Sequence, residues 1–393
     1  MIIPKKYQSV NWTDGMKVNK EHFISTENFV SDSLRDVASV SVNSYNFGLL
    51  PPLKGSGAVL SNYAVSKTAT NQLQIRVGYC QAITPGGVRI SITGDGLSNY
   101  ALSKTIDLAT AAKSTEKDGV PNTGTEYFYV VIVANLFERV VSGNPDPEEV
   151  PVRQPFTQPY YDIELMHATQ VSLDQLGGFH LVIGRIAKTG DDFSKDESFI
   201  PPCSSITSND ILLERYKVVG KAMEDVQNLS LQIVQKINYK DQKSQIAQDI
   251  KAFCQTILGF SNQHYFYFRN MVHQQPPVFL LNAISSFSSF IHSYLQTLPE
   301  KEKEALLNYF FEWSDITPVI FLSKLSSIIE IDYNHYAVGG NMNNIISLLH
   351  SVVLILEKLN TLEYIGQHKE NIVVKEEVVA HSVKEKKGWS ILD

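Results

Sequence analysis

The stretch Phe199-Ile200-Pro201-Pro202 constrains this chain most. Two consecutive prolines fix φ and remove two backbone donors, so neither a strand ladder nor a helix runs easily through them. Ile200, ahead of a proline, is pushed to extended geometry. Behind them, Ser204-Ser205-Ile206-Thr207-Ser208-Asn209-Asp210 is rich in short side-chain oxygens that cap helices. Thr207 and Asp210 have capping-box spacing ahead of Ile211-Leu212-Leu213. Before the junction the sequence reads as short strands, and after it as long amphipathic helices. An α+β chain follows, with three divisions. Residues 1–205 form an antiparallel β-sandwich with an early helix, 206–365 a helical bundle, and 366–393 a charged tail ending in an apolar peptide.

In the first division, Asp14-Gly15 is a turn flanked by Trp12 and Met16. Asn19 caps a helix to about Ser39, with Phe23, Val30, Leu34 and Val37 on one stripe. Leu49-Leu50-Pro51-Pro52 and the turn Gly55-Ser56-Gly57 lead into Ala58 to Tyr63. Residues 72–93 alternate polar and apolar about Pro85-Gly86-Gly87, which predicts a β-hairpin. Tyr127 to Leu136 is a continuous β-branched and aromatic run, suited to a strand covered on both faces. Ile163-Glu164-Leu165 and His180 to Ile186 are further strands. Gly119 to Thr125 and Asn144 to Pro151 are loops.

Beyond the junction the apolar residues step by alternating fours and threes, the 3.5-residue repeat of helices that face partner helices. Four seams show it: Leu212 to Ile237, Ile246 to Met271, Leu280 to Leu298 and Ile345 to Leu359. Pro299 opens a shorter helix through Trp313, and Thr317-Pro318 opens another. The last of the four long helices is apolar almost all round. It is therefore either central in its own bundle or buried against another copy of the chain.

The composition narrows the function. At 393 residues with 43% hydrophobic side chains, the chain can bury a sizeable core. A net charge of −7 gives no electrostatic reason to expect nucleic acid or anionic membrane as a partner. Cys80, Cys203 and Cys254 are too few and too scattered for a disulfide framework, which suggests a reducing compartment. The opening Met1 to Lys6 lacks a signal-peptide core. The most apolar run, Ile345 to Leu359, is interrupted by Ser347, His350, Ser351, Glu357 and Lys358. A soluble cytoplasmic protein is expected, with no direct membrane insertion.

Catalytic signatures are missing. There is no HExxH, CxxC, GxSxG or GxxxxGK[ST] pattern, and Gly55-Ser56-Gly57 lacks the remaining glycine of a nucleotide fingerprint. Pro145 to Glu149 reads as a solvated loop. His264 reads as a hydrogen-bonded histidine at the edge of the core, and Tyr265-Phe266-Tyr267-Phe268 as core packing. No catalytic, cofactor-binding or metal-binding residue is assigned, and a structural or binding role is expected over an enzyme. At the far end Trp389, Ile391 and Leu392 form a bulky cluster, costly to expose. They either fold back on the chain or dock on a partner.

Two motifs carry a resemblance. Trp12-Thr13-Asp14-Gly15-Met16 with His22-Phe23 is similar to a W-x-x-G-M-x-L…H-F opening. Leu181-Val182-Ile183-Gly184-Arg185-Ile186 with Asp196-Glu197-Ser198-Phe199-Ile200-Pro201-Pro202 is similar to an L-x-I-x-R-I…D-x-x-F-I-P-P strand and junction. In this order they resemble the TssK family, baseplate subunits of bacterial type VI secretion systems. Gly78 to Arg89 also resembles that family's hairpin. The resemblance implies a non-enzymatic homotrimer whose sandwich, like the shoulder of phage receptor-binding proteins, docks on the baseplate wedge. It implies a helical bundle in the middle and a C-terminal domain that binds the cytoplasmic part of a membrane complex. Trp12, Gly15, Met16, His22 and Phe23 would then lie towards the wedge. The sequence departs from that pattern at its end: the 28 residues from 366 to 393 are few for such a domain, so either that family's C-terminal domain is reduced to the tail or residues 299–340 belong to it. The alternative is a phage-tail-like receptor or carbohydrate-binding sandwich, with Tyr160 and Tyr161 as its loop aromatics.

Overall fold

A computed structural model describes residues 3–53, 60–70, 72–93, 102–107, 124–190 and 192–369. Gly15 takes a left-handed φ of 79° in the expected Asp14-Gly15 turn. Helix α1 (Lys20–Ser41) starts at Asn19 as its sequence dictates. The Asn19 side chain accepts from the His22 amide, and the His22 ring accepts from the Asn19 amide.

Nine strands follow among the described residues. β1 (Gly48–Leu49), β2 (Asn62–Lys67), β3 (Gln72–Ile83), β4 (Arg89–Thr93) and β5 (Leu102–Asp107) form one antiparallel sheet centred on β3. β2 and β1 pair along one edge of β3, and β5 and β4 along the other. The hairpin over 72–93 is present as β3 and β4. The second sheet has the order β7-β6-β8-β9, from β6 (Glu126–Ser142), β7 (Phe156–His167), β8 (His180–Thr189) and β9 (Asp192–Lys195). Pro159 lies in the edge strand β7, opposite a register break between Asn135 and Arg139, where a missing ladder donor is tolerated.

The two sheets face each other. Leu73, Ile75 and Val77 from one and Phe128, Val130 and Ile132 from the other are buried in a common core. Gly184 shows how close they come: a Cβ there would lie 2.2 Å from the Tyr63 ring, whose hydroxyl donates to the Arg185 carbonyl at 2.9 Å. On the outer face of the second sheet, Val131 and Val182 are also buried, against Phe199. The run from Tyr127 is therefore covered on both faces, as its sequence predicts. Gly55-Ser56-Gly57 and Gly119 to Thr123 lie outside the described residues.

The helices are α2 (Asp210–Tyr239), α3 (Gln245–Asn270), α4 (Pro277–Thr297), α5 (Glu300–Ser314), α6 (Pro318–Ile329) and α7 (Val338–Thr361). All four seams and both shorter helices are present. The cap of α2 differs from the sequence reading. Residues 206–208 form a short 3-10 turn held by Ser205, and Asn209 caps α2 by accepting from the Leu212 amide at 3.0 Å. The seam residues Leu212, Val219, Val226, Ser230, Ile233 and Ile237 are all buried. α7 packs on α2, α4, α5 and α6, which makes it the central helix and accounts for its all-round apolarity. α4 and α7 are each long and apolar enough to cross a membrane, yet 44% and 50% of their most apolar windows are buried inside the bundle. Burial among neighbouring helices explains their composition.

Two features run against the sequence reading. First, α1 turns its polar side inward. Asn28, Asp32, Arg35 and Ser39 are buried, while Phe23, Val30, Leu34 and Val37 are exposed. Second, the aromatic run on α3 is only half core: Tyr267 and Phe268 pack against the core, while Tyr265 is 53% and Phe266 70% exposed. Tyr265 and Phe266 sit near the end of α3, which runs to Asn270.

Candidate functional site

The junction motif is a single constructed site. Asp196 and Arg185, eleven residues apart, form an ion pair at 2.6 Å. The Arg185 guanidinium lies between two rings, 4.5 Å from the Tyr127 centroid and 5.0 Å from that of Phe199. Asp196 also accepts from the amide and hydroxyl of Ser198, at 2.9 and 2.6 Å. Burial alone would raise the Asp196 carboxyl, but the bonds from Ser198 and Arg185 and the Arg185 charge outweigh it, and its pKa is lowered. The residue types of the strand-and-junction motif are thus explained: arginine bridges ring and carboxylate, and phenylalanine supplies the ring.

Past Phe199 the chain is clamped to β1. The Leu49 amide donates to the Pro202 carbonyl at 2.8 Å, and Ser204 returns two bonds to the Leu49 carbonyl at 2.9 Å each. Leu49 and Cys203 make an isolated parallel bridge. Gly48 permits the approach: its φ is 113°, and a Cβ there would fall 2.1 Å from the Pro202 carbonyl oxygen. On the helical side Ile206 donates to the Gln275 carbonyl and Ser205 to that of His273. His335, between α6 and α7, closes the assembly. Its Nε2 donates to the Phe47 carbonyl at 2.9 Å, so its Nδ1 accepts from the Tyr333 hydroxyl at 2.6 Å. Burial lowers the His335 pKa to about 4, so the ring stays neutral near pH 7.

The opening motif makes a second cluster. Trp12 is half exposed, with its ring 5.9 Å from His22 and 6.5 Å from Phe23. Phe23 is exposed and Met16 half-buried. The structure thus brings Trp12, His22 and Phe23 together at the start of α1, with Gly15 supplying the turn.

A third feature was not legible in the sequence. A groove of about 440 Å³ opens between α2, α3 and α4, lined by Tyr216, Met223, Phe260, His264, Tyr265 and Phe268 among others. His264 stacks on Phe260 with ring centroids 4.0 Å apart and bonds the Phe260 carbonyl, as an edge-of-core histidine should. Tyr160 and Tyr161, the loop aromatics of a receptor reading, are strand residues and only half-exposed. Tyr161 is within hydrogen-bonding distance of β4. Trp389, Ile391 and Leu392 lie outside the described residues. Among the described residues, no group of three or more His, Cys, Asp or Glu side chains is placed to hold a metal ion.

No protein-family model and no curated protein matches this chain. Solved structures do. A crystal structure of TssK superposes with a TM-score of 0.50 at 16% identity, covering 88% of this chain and 69% of that one. A chain from a structure of the baseplate complex of the type VI secretion system superposes with a TM-score of 0.51 at 12% identity. It covers 88% of this chain and 99% of that one. At these identities the likeness is one of fold: antiparallel sheets followed by a helical bundle, in the same order. It points to the same proteins as the paired motifs.

Proposed function

We propose that this chain is a TssK-type subunit of a type VI secretion baseplate. In this reading it is a non-enzymatic adaptor that forms trimers and links the baseplate wedge to the membrane-associated complex. The observation that carries the reading is the coincidence of two independent features. The chain has the TssK fold, and the residues of its junction motif, Arg185, Asp196 and Phe199, form one built joint between sheets and helices. A joint of this kind suits a part that holds two attachments at a fixed angle.

The three divisions take separate roles in this reading. Residues 1–205 face the wedge, with Trp12, Gly15, Met16, His22 and Phe23 in the contact. The half-exposed ring of Trp12 beside Phe23 supports this, since aromatic anchors dominate interface energetics. Residues 206–365 carry the load between the two attachments. Residues 366–393 reach the membrane side, where Trp389, Ile391 and Leu392 dock. The protein then works in the cytoplasm, at the inner face of the cytoplasmic membrane when assembled.

The test is affinity purification of the tagged chain from its native cell, with identification of what accompanies it, and light scattering of the pure protein. Baseplate wedge proteins and a membrane-complex component are expected, together with the mass of a trimer. A chain that stays monomeric at micromolar concentration and brings down no baseplate protein would refute the proposal.

A further inference from the structure

We propose that the groove between α2, α3 and α4 is a seat for this chain's own apolar peptide, Trp389 to Asp393. The reading above gives that peptide to a membrane-side partner. Here it also has a place on its own bundle, which such a partner has to empty. At about 440 Å³ the groove has the size of a pocket for a few large side chains. Met223, Phe260 and Phe268 line it, and Tyr265 stands 53% exposed beside them. Trp389, Ile391 and Leu392 are the bulky apolar side chains that the tail brings to it.

The charges of groove and peptide match in sign and in order. The Tyr216 hydroxyl donates to the Phe268 carbonyl at 2.6 Å, and Gln227 donates to Asn262 at 3.4 Å, so α2 and α3 run antiparallel along the groove. One end carries Lys217 and Arg269, and Glu224 lies ~10 Å along α2 towards the other. The peptide has Lys386 and Lys387 ahead of its apolar residues and Asp393 after them. These charges are satisfied in one direction only, with Asp393 towards Lys217 and Arg269 and the lysines towards Glu224. Lys217 and Glu224 have local partners, Glu214 at 3.6 Å and Lys221 at 3.4 Å. Both are exposed pairs of little worth, which a new partner can share. Arg269 donates to the Tyr265 hydroxyl at 3.1 Å, beside the groove.

The path of the chain delivers the peptide in that direction. Gly366 lies against the start of α3: a Cβ there would be 2.7 Å from the Ile246 side chain. Lys369, the last described residue, bonds Glu312 of α5, and Phe310 near it packs on Phe253 of α3 at 5.2 Å. From Ile246 to His264 is ~27 Å along α3. The chain from Gly366 to Trp389 reaches ~80 Å at most, so the groove is within its span. Coming from that side, the chain meets the Glu224 end first and the Lys217 end last, as the charge order requires. Tethering selects this occupant further. An attached segment meets its site at an effective concentration on the order of 1 mM, above that of a free partner at micromolar levels. A seat that a partner must empty is a weak one, so the melting temperature barely registers it.

Full-length chains carrying Ser390→Cys with either Glu224→Cys or Tyr239→Cys test the proposal. Glu224 and Tyr239 are both exposed, so neither change disturbs the core. Tyr239 adjoins Lys240, whose ammonium lies over the Tyr364 ring, so position 239 is nearer to where the tail leaves the bundle. The three native cysteines are buried, which leaves the introduced pair as the reactive thiols. Under limiting copper-phenanthroline, E224C/S390C should close an intrachain disulfide at least about tenfold faster than Y239C/S390C, and Trp389→Ala should remove that difference. Lys217→Glu with Arg269→Glu should slow the closure about threefold, and adding Asp393→Lys should restore it. Equal rates at 224 and 239, or no link at 224, overturn the proposal. Links only between chains overturn it as well and assign the groove to the tail of a second copy. In each case the membrane-side role stands; that role fails separately, if deleting 388–393 changes no pull-down.

Discussion

His335 provides the sharpest quantitative test of how the two halves are joined. The imidazole donates to the Phe47 carbonyl and accepts from Tyr333, and burial lowers its pKa from 6.5 to about 4. Above pH 6.5 it is neutral folded and unfolded, and the contribution of this network is complete. As pH falls from 6.5 towards 4, the unfolded chain takes up a proton that the folded chain refuses, so stability drops by ~1.4 kcal/mol per pH unit. By pH 4.5 the loss reaches ~2.5 kcal/mol. His335→Gln keeps a donor and an acceptor but does not titrate. It should cost ~1–2 kcal/mol at pH 7.5 through imperfect hydrogen bonds. Its deficit relative to the parent should then close, or reverse, by pH 4.5. Urea unfolding followed by tryptophan fluorescence between pH 7.5 and 4.5 measures this. Carboxylates titrate in both proteins, so the difference between the two curves isolates His335. Parallel pH dependences would show that His335 is not held neutral and would refute the reasoning.

Three further outcomes are expected. Asp196→Asn should destabilise by ~1–3 kcal/mol at pH 7, since it leaves Arg185 without its carboxylate. Because the Asp196 pKa is lowered, the parent's advantage should be present above the ordinary carboxylate range and fade as pH falls through the lowered value, which chemical denaturation at pH 7 and pH 3 would reveal. Gly48→Ala should cost at least ~2 kcal/mol, because it combines a φ of 113° with a clash on Pro202, and a thermal melt equal to the parent's would count against the clamp. Deleting 388–393 should leave the melting temperature unchanged and remove one partner from native-cell pull-downs; unchanged pull-downs would end the docking assignment for Trp389, Ile391 and Leu392.

The bundle was legible because helix packing repeats at a period that sequence displays. Leu212 to Ile237 and Ile345 to Leu359 are buried where their spacing places them. The hairpin over 72–93 was legible for the same reason, at period two. α1 was half legible. Asn19 marked its start, but the stripe Phe23, Val30, Leu34 and Val37 says only that one face is apolar, not which way it turns. The second stripe, Asn28, Asp32, Arg35 and Ser39, carried the missing signal: it repeats at the same period and holds a charge pair that could be satisfied only against backbone amides far away in sequence. The cap of α2 moved from Thr207 to Asn209 because Ser205 and Thr207 are engaged in a 3-10 turn, which local spacing cannot disclose. The groove by Tyr216 and Phe268 depends on three helices meeting, and no single helix announces it.

The clamp on β1 also sets an order of events during synthesis. Phe47 and Leu49 leave the ribosome early, yet their partners are Pro202, Ser204 and His335, made much later. Until then two carbonyls and an amide on a buried strand lack their final bonds, at a cost comparable to each lost hydrogen bond. The sheets therefore cannot mature as a finished unit ahead of the helices, and we predict that a nascent chain halted at Lys195 remains open to protease while one that includes His335 does not. Equal protection of the two would mean that the sheet half seals by itself. On this view the strand at the front of the chain is a lock whose key is made last.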